Sequence, residues 1–292
     1  MKFIVHIIVF VFAGFTAYAQ DDLMDIVDKE TGEDSIFTVQ TFKGTRLING
    51  HSVETRRRGV LDVLISHRFG RLNTGAYELF GLDESNVRLG VDYGISDRLN
   101  FGIGRNSFEK TFDSFLKYKL LRQRDGDARV VPVSVVAFSS VALRTLRSSI
   151  GQTEPDFNSR LTYSYQLLVG RKFSPAFSFQ VTPTYIHRNL VTEGQDPNGI
   201  IALGAGGRIK LNKRISLNGE YYYQFNKAQN SPMQNAVAFG FDIETGGHVF
   251  QLHFTNSRAM NEKGFITETT GDFFDGDIHF GFNISRTFQL YE

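Results

Sequence analysis

The feature that most constrains this chain is an alternation of apolar and polar residues, which recurs in about a dozen stretches of the sequence. In the clearest stretch, 87–95, Leu89 and Val91 are apolar and their neighbours Arg88 and Asp92 are charged. A period of two places successive side chains on opposite faces of a β-strand. A strand that is apolar on one face and polar on the other suits a wall between lipid and water, which is the repeat of a transmembrane β-barrel.

The connectors between these stretches alternate between long and short. The short ones, such as Ser96-Asp97-Arg98, consist of turn-forming residues. Short periplasmic turns and long external loops are typical of a barrel whose two chain ends lie in the periplasm. One connector, Asn106-Ser107, is short where this rhythm requires a long one. The pattern predicts an all-β chain that folds as a transmembrane antiparallel up-and-down β-barrel of about twelve strands. The predicted strands cover 59–71, 86–96, 98–105, 108–121, 129–143, 160–173, 177–188, 199–211, 214–225, 235–245, 248–256 and 277–290.

A soluble β-sandwich also consists of alternating strands, but it does not require the rhythm of the connectors. The chain also ends on an alternating strand with the sequence Phe288-Gln289-Leu290-Tyr291, followed by Glu292. This ending resembles the C-terminal signal that the barrel-assembly machinery reads, although the common terminal residue is aromatic. We therefore favour the barrel, with membrane lipid and the barrel-assembly machinery as its expected partners.

The N-terminal residues predict export. Lys2 precedes an apolar run over 3–15, and Ala17-Tyr18-Ala19 is a typical cleavage site. The run is shorter than the roughly 20 apolar residues of a spanning helix, so we interpret 1–19 as a cleaved signal peptide. Residues 20–58 are predicted to be a periplasmic N-terminal extension, and 59–292 the outer-membrane barrel.

Two parts of that extension differ in composition. Residues 21–34 contain seven acidic side chains. The more apolar stretch 36–53 could be an extra strand, a plug that fills the lumen or a docking segment for a periplasmic protein partner.

Composition excludes several classes of site. The chain contains no cysteine, which excludes disulfides and thiolate metal sites. A net charge of +1 gives no electrostatic footprint for nucleic acid. We expect no cofactor and no metal.

Several segments also resemble a known protein family. The stretch Thr41-Phe42-Lys43-Gly44-Thr45-Arg46, the strand Leu64-Ile65-Ser66-His67-Arg68-Phe69-Gly70 and the last strand from Gly276 to Arg286 resemble an uncharacterised family of Gram-negative β-barrels. Its members are of the domain of unknown function 5777 type. The resemblance implies the outer membrane, reached after secretion across the inner membrane, but it implies no activity.

If the apolar residues face lipid, the polar residues of each strand face the lumen. Charges of both signs then line the interior, so they either border a path for small polar solutes or pair and close it. The first case is a channel or transporter, and the alternative is a closed barrel that anchors a periplasmic or surface partner. The candidate lumen residues are Asp62, Arg68, Arg88, Asp92, Lys117, Arg208, Glu220, Asp242, His253 and His279.

An outer-membrane lipid hydrolase is a less favoured alternative. Ser66 and His67 are adjacent in one strand, so their side chains point to opposite faces and cannot form a nucleophile–base pair. The chain also lacks the G-x-S-x-G motif. We expect that it is not an enzyme.

The longest connector, 257–276, is too apolar for a loop that lies wholly in water. Long loops in compact domains usually have a function. We predict that it folds inward as a partial plug, with Phe273 and Phe274 as its anchors. The alternative is a surface loop that places its aromatic side chains at the level of the lipid headgroups.

Overall fold

A computed structural model describes residues 36–126, 130–149, 152–191, 197–245 and 247–290. In it, twelve antiparallel strands form a closed barrel in which each strand pairs with the next and the last pairs with the first. This confirms the predicted fold class. The predicted signal peptide and the acidic stretch 21–34 lie outside the described residues. The strands are β1 (Val60–Arg71), β2 (Ser85–Gly94), β3 (Leu99–Asn106), β4 (Phe112–Leu121), β5 (Ser134–Leu143), β6 (Leu161–Lys172), β7 (Phe177–Arg188), β8 (Gly199–Lys210), β9 (Ile215–Gln224), β10 (Ala236–Thr245), β11 (His248–Thr255) and β12 (His279–Gln289).

Alternation decides which face of each strand is buried. In β3, Asn100 and Gly102 are buried inside the barrel, and Phe101 and Ile103 are exposed on its outer surface. The other strands repeat this pattern, which leaves an apolar outer surface for lipid. Among the described residues, no helix is long and apolar enough to cross a membrane.

The two ends of the barrel differ. Tight turns at 95–98, 173–176 and 211–214 join strands at one end, which we call the turn end and assign to the periplasm. The longer connectors lie at the opposite end, which we call the loop end. At the turn end, Ile36–Phe37 pairs as a two-stranded ribbon with Arg124–Asp125, which belongs to the connector from β4 to β5.

The connector between β3 and β4, predicted from the sequence to be only Asn106-Ser107, is longer in the structure. Strand β4 begins at Phe112 rather than at residue 108, because Phe108–Lys110 forms a short 3-10 turn. Glu109 and Lys110 have positive φ angles of 52° and 51°, which are incompatible with a strand. The observed connector, 107–111, is therefore longer than the predicted one, as expected for a connector at the loop end.

The interior of the barrel is occupied. One segment, the N-terminal insert (residues 41–54), lies in the lumen and is buried over most of its length. The other, the loop insert (residues 256–269), contains the helix α1 (Glu262–Thr267), all of whose residues are buried. Much of the segment predicted as a periplasmic extension is therefore part of the barrel interior, and the plug is the placement that the structure selects for it.

Candidate functional site: the occupied lumen

All ten candidate lumen residues are buried inside the barrel. The partners of several could not be predicted from strand patterns, because these partners belong to the inserts rather than to the wall. The ten residues are Asp62, Arg68, Arg88, Asp92, Lys117, Arg208, Glu220, Asp242, His253 and His279.

The N-terminal insert is a narrow hairpin. Arg46 and His51 form an antiparallel bridge, and the Leu47 N–H donates to the Gly50 carbonyl at 2.8 Å to close the tip. The tip contacts Glu220 of β9, which accepts the Asn49 N–H at 2.7 Å and the Gly50 N–H at 3.2 Å. A Cβ at position 50 would collide with the Tyr222 hydroxyl, so the tip requires glycine there.

Side chains of the wall satisfy the backbone of the insert. The Lys117 ammonium donates to the carbonyls of Thr45, Ser52 and Glu54 at 2.9, 3.0 and 3.1 Å. Gln180 accepts the Val53 N–H at 2.8 Å. Because buried backbone polar groups need partners, these contacts satisfy the backbone groups of the insert that its own short hairpin leaves unpaired.

Further hydrogen bonds hold the side chains of the insert. The Thr45 hydroxyl donates to Asp92 at 2.7 Å, and the Arg68 guanidinium donates to Asn49 at 2.9 Å. Arg88 instead pairs with Asp113 on the wall, with 3.0 Å between Nε and Oδ1. Many polar groups of the wall therefore bind the insert rather than one another.

Apolar packing completes the contact. Phe42, Leu47 and Val53 of the insert cluster with side chains of β4, β5 and β6. The His51 ring packs against Phe115 and Phe138, with ring centroids 4.4 and 4.5 Å away. The N-terminal insert is thus held in the lumen by both polar and apolar contacts.

The loop insert blocks the lumen from the loop end, as predicted, but with other residues. Phe265 and Ile266 of α1 are fully buried in a cluster with Tyr222 and neighbouring wall residues. Phe274 is 90% exposed, and Phe273 packs on Phe239 of the outer surface with ring centroids 5.9 Å apart.

The prediction that Phe273 and Phe274 anchor the plug is therefore wrong. By residue 273 the chain has left the lumen and is returning to β12, so these two rings lie outside the lumen.

The two inserts meet inside the barrel at Glu262, the first residue of α1. Its carboxylate lies 3.7 Å from the Arg46 guanidinium and 3.5 Å from His51 Nε2. Burial holds the pKa of His51 well below its usual value, and nearby Arg46 lowers it further. The cationic form of the His51 ring is therefore disfavoured, which leaves the Arg46 guanidinium as the basic partner of Glu262.

His253 and His279 lie on the inner face of β11 and β12 in separate surroundings. His279 Nδ1 lies 2.8 Å from the Phe69 carbonyl. His253 lies directly across from Gly281, where a Cβ would crowd its Nε2. In the part of the chain that the structure describes, no group of three or more His, Asp or Glu residues is placed to hold a metal ion.

A serine–histidine contact does exist, though not between the neighbours Ser66 and His67. Ser66 is buried on the inner side, and His67 faces outward, where its Nε2 lies 2.7 Å from the hydroxyl of Ser85. His67 Nδ1 has no hydrogen-bond partner among the described residues. The pair therefore lacks the third group that orients a catalytic histidine.

The sequence from Phe42 to Phe288 matches a family described as a membrane-bound beta barrel domain (DUF5777). The chain belongs to this family. The match confirms the resemblance noted in the sequence, and it begins inside the N-terminal insert. This protein is an outer-membrane β-barrel. No curated protein matches the chain.

Solved structures with similar folds are distant in sequence. The KdgM porin is 8% identical over 78% of this chain and 99% of its own, with a TM-score of 0.45. The outer membrane phospholipase A from Escherichia coli is 11% identical over 79% of this chain and 93% of its own, with a TM-score of 0.41. Similarity at this level carries no information about what the lumen of this protein does.

Proposed function

We propose that this protein is a gated channel for small polar solutes, and that the N-terminal insert is its gate. The proposal rests on the hydrogen bonds between side chains of the wall and the backbone of the insert. Lys117, Glu220 and Gln180 are polar side chains of the wall that bond to its backbone. Water can replace the insert at each of these groups, so withdrawal would leave a hydrated lumen.

The path of the chain supports withdrawal towards the turn end. Just before the insert, the Thr38 N–H donates to the Gln123 carbonyl in the connector from β4 to β5. Just after it, the Arg58 N–H donates to Asp97 in the turn between β2 and β3. Both ends of the insert therefore lie at the turn end, and it can leave the lumen without being threaded through the barrel.

Single-channel recording in planar bilayers tests the proposal. We expect the complete mature protein to be silent and a variant without residues 41–54 to give stepwise currents. Because the chain contains no cysteine, a Thr45→Cys/Asp92→Cys pair joined by a short bis-methanethiosulfonate, which forms a mixed disulfide with each thiol, can lock the insert in place. The locked protein should stay silent under conditions that open the unmodified protein, such as added denaturant.

A closed barrel that anchors a periplasmic or surface partner is the competing function, and the packed lumen favours it. It predicts silence from the variant without residues 41–54, even when heat-modifiable gel mobility shows a folded barrel. That result would contradict the channel. Contact with the barrel-assembly machinery, a periplasmic protein partner and the absence of enzymatic activity stay predictions.

A further inference from the structure

Basic side chains converge on the lumen at the turn end. Lys119 of β4, Lys172 of β6, and Arg208 and Lys210 of β8 lie on the inner face of their strands. Lys172 and Arg208 both lie opposite Ser178 of β7, one on each side of it. Their backbones are therefore about 10 Å apart, two strand spacings, with both side chains on the same face.

Glu54, at the end of the N-terminal insert, lies beside part of this cluster. Its backbone carbonyl accepts from Lys117 Nζ at 3.1 Å, and Lys119 follows two positions later on the same face of β4. Glu54 Oε1 accepts the backbone N–H groups of Thr41 and Phe42 at 2.7 and 3.1 Å. Asp97, in the turn between β2 and β3, is a second carboxylate at this end. The insert thus holds an anionic group among the basic side chains.

Positive charge is in excess around Glu54. Lys172 is repelled by Arg208, Lys210 and Lys43. Lys43 is paired with Glu244, and Asp242 and Glu244 also attract Arg208. Within the described ranges, Lys119, Lys172 and Lys210 form no ion pair. Clustered like charges at a mouth with low-dielectric walls raise the local concentration of ions of opposite sign.

We propose that the turn-end mouth is a binding site for small multivalent anions, carboxylates or phosphates, and that Glu54 occupies the anion position while the insert is in place. This names the class of solute for the proposed channel and rests on that function for its role. Binding itself does not require an open lumen, so it can fail or succeed independently of conductance.

Calorimetric titration of the folded, full-length mature protein with citrate at low salt tests the site. Glu54→Gln removes the resident carboxylate and should tighten citrate binding about tenfold. Lys172→Glu/Lys210→Glu should abolish it. The matched control is Arg171→Glu/Arg286→Glu, which makes the same change in net charge at the same end but on exposed, outward-facing side chains.

The control pair should bind citrate as the unmodified protein does. Equal loss in both pairs, or no binding by the Glu54→Gln variant, would overturn the proposal. If the charge-reversed pair does not fold, Lys172→Gln/Lys210→Gln provides the same comparison, with weakened binding expected and unchanged binding as the contrary result. A variant without the acidic stretch 21–34 is titrated in parallel, so that the chain's own carboxylates cannot mask the site.

Discussion

The two inserts fill one lumen but are held in different ways. The N-terminal insert has no helix or strand within the lumen, and wall residues such as Lys117 and Glu220 supply partners for its backbone. The loop insert forms its own helix, α1, which Asn261 caps by accepting the Gly264 N–H at 2.8 Å. Its main contact with the wall is the apolar cluster around Phe265 and Ile266, and Lys263 also pairs with Glu109 in the connector between β3 and β4 at 2.6 Å.

This difference bears on which insert would act as the gate of the proposed channel. The loop insert is joined to β11 and β12, two neighbouring strands of the closed barrel, and its burial depends on apolar packing that water cannot replace. The N-terminal insert continues into one strand of the barrel, β1, and the chain before it is held at the turn end by the ribbon of Ile36–Phe37 with Arg124–Asp125. Many of its contacts are polar ones that water can replace. We therefore assign the gate to the N-terminal insert and a fixed, structural role to the loop insert.

The largest expected effect tests the apolar hold on the loop insert. Phe265→Ala should lower the free energy of unfolding by about 3–5 kcal/mol, because it leaves a cavity in a fully buried cluster. Phe274→Ala removes the same atoms from a side chain that is 90% exposed and should cost less than about 0.5 kcal/mol. Urea unfolding in detergent measures both. Similar values would mean that α1 is not held by its apolar face.

A smaller effect tests the polar hold on the N-terminal insert. Lys117→Met keeps the length of the side chain but removes the ammonium donor from the carbonyls of Thr45, Ser52 and Glu54, at a cost of about 1–3 kcal/mol. The withdrawn state should then become about tenfold more populated. A Ser52→Cys reporter, the single thiol of the chain, should react correspondingly faster with a maleimide.

Lys210→Met is the matched control for this experiment. It removes a basic side chain from the same mouth, but one that forms no hydrogen bond with the insert among the described residues. An equal gain in reactivity from both variants would show that charge at the mouth, rather than donation to the backbone, keeps the insert in place.

The smallest effect concerns the cap of α1. Asn261→Ala should cost about 1 kcal/mol, as loss of a helix cap usually does, and Asn261→Asp should restore most of it. Urea unfolding again provides the measurement. A cost above that of Phe265→Ala would reverse the comparison, because polar capping would then hold the loop insert more strongly than apolar packing.

The strands could be predicted because their signal is local. A strand between lipid and polar lumen shows its two faces as a period of two, as in 87–95, and no distant contact is needed to recognise it. The inward orientation of Lys117 and Glu220 follows from the same period. The start of β4 at Phe112 was missed, because the positive φ angles of Glu109 and Lys110 have no signature in the alternation.

The sequence by itself therefore determined the wall: the strand count, the direction of each side chain and the outer membrane as the destination. Only the tertiary structure decided what fills the lumen. The N-terminal insert has no period of its own, and its tip is placed by Glu220, a partner about 170 residues away in the chain. That Phe265 rather than Phe273 anchors the loop insert likewise depends on where α1 begins and on the apolar cluster against which Phe265 packs. Faces of a strand are set by neighbouring residues, whereas the contents of a lumen are set by residues that are distant in sequence and meet only in the closed barrel.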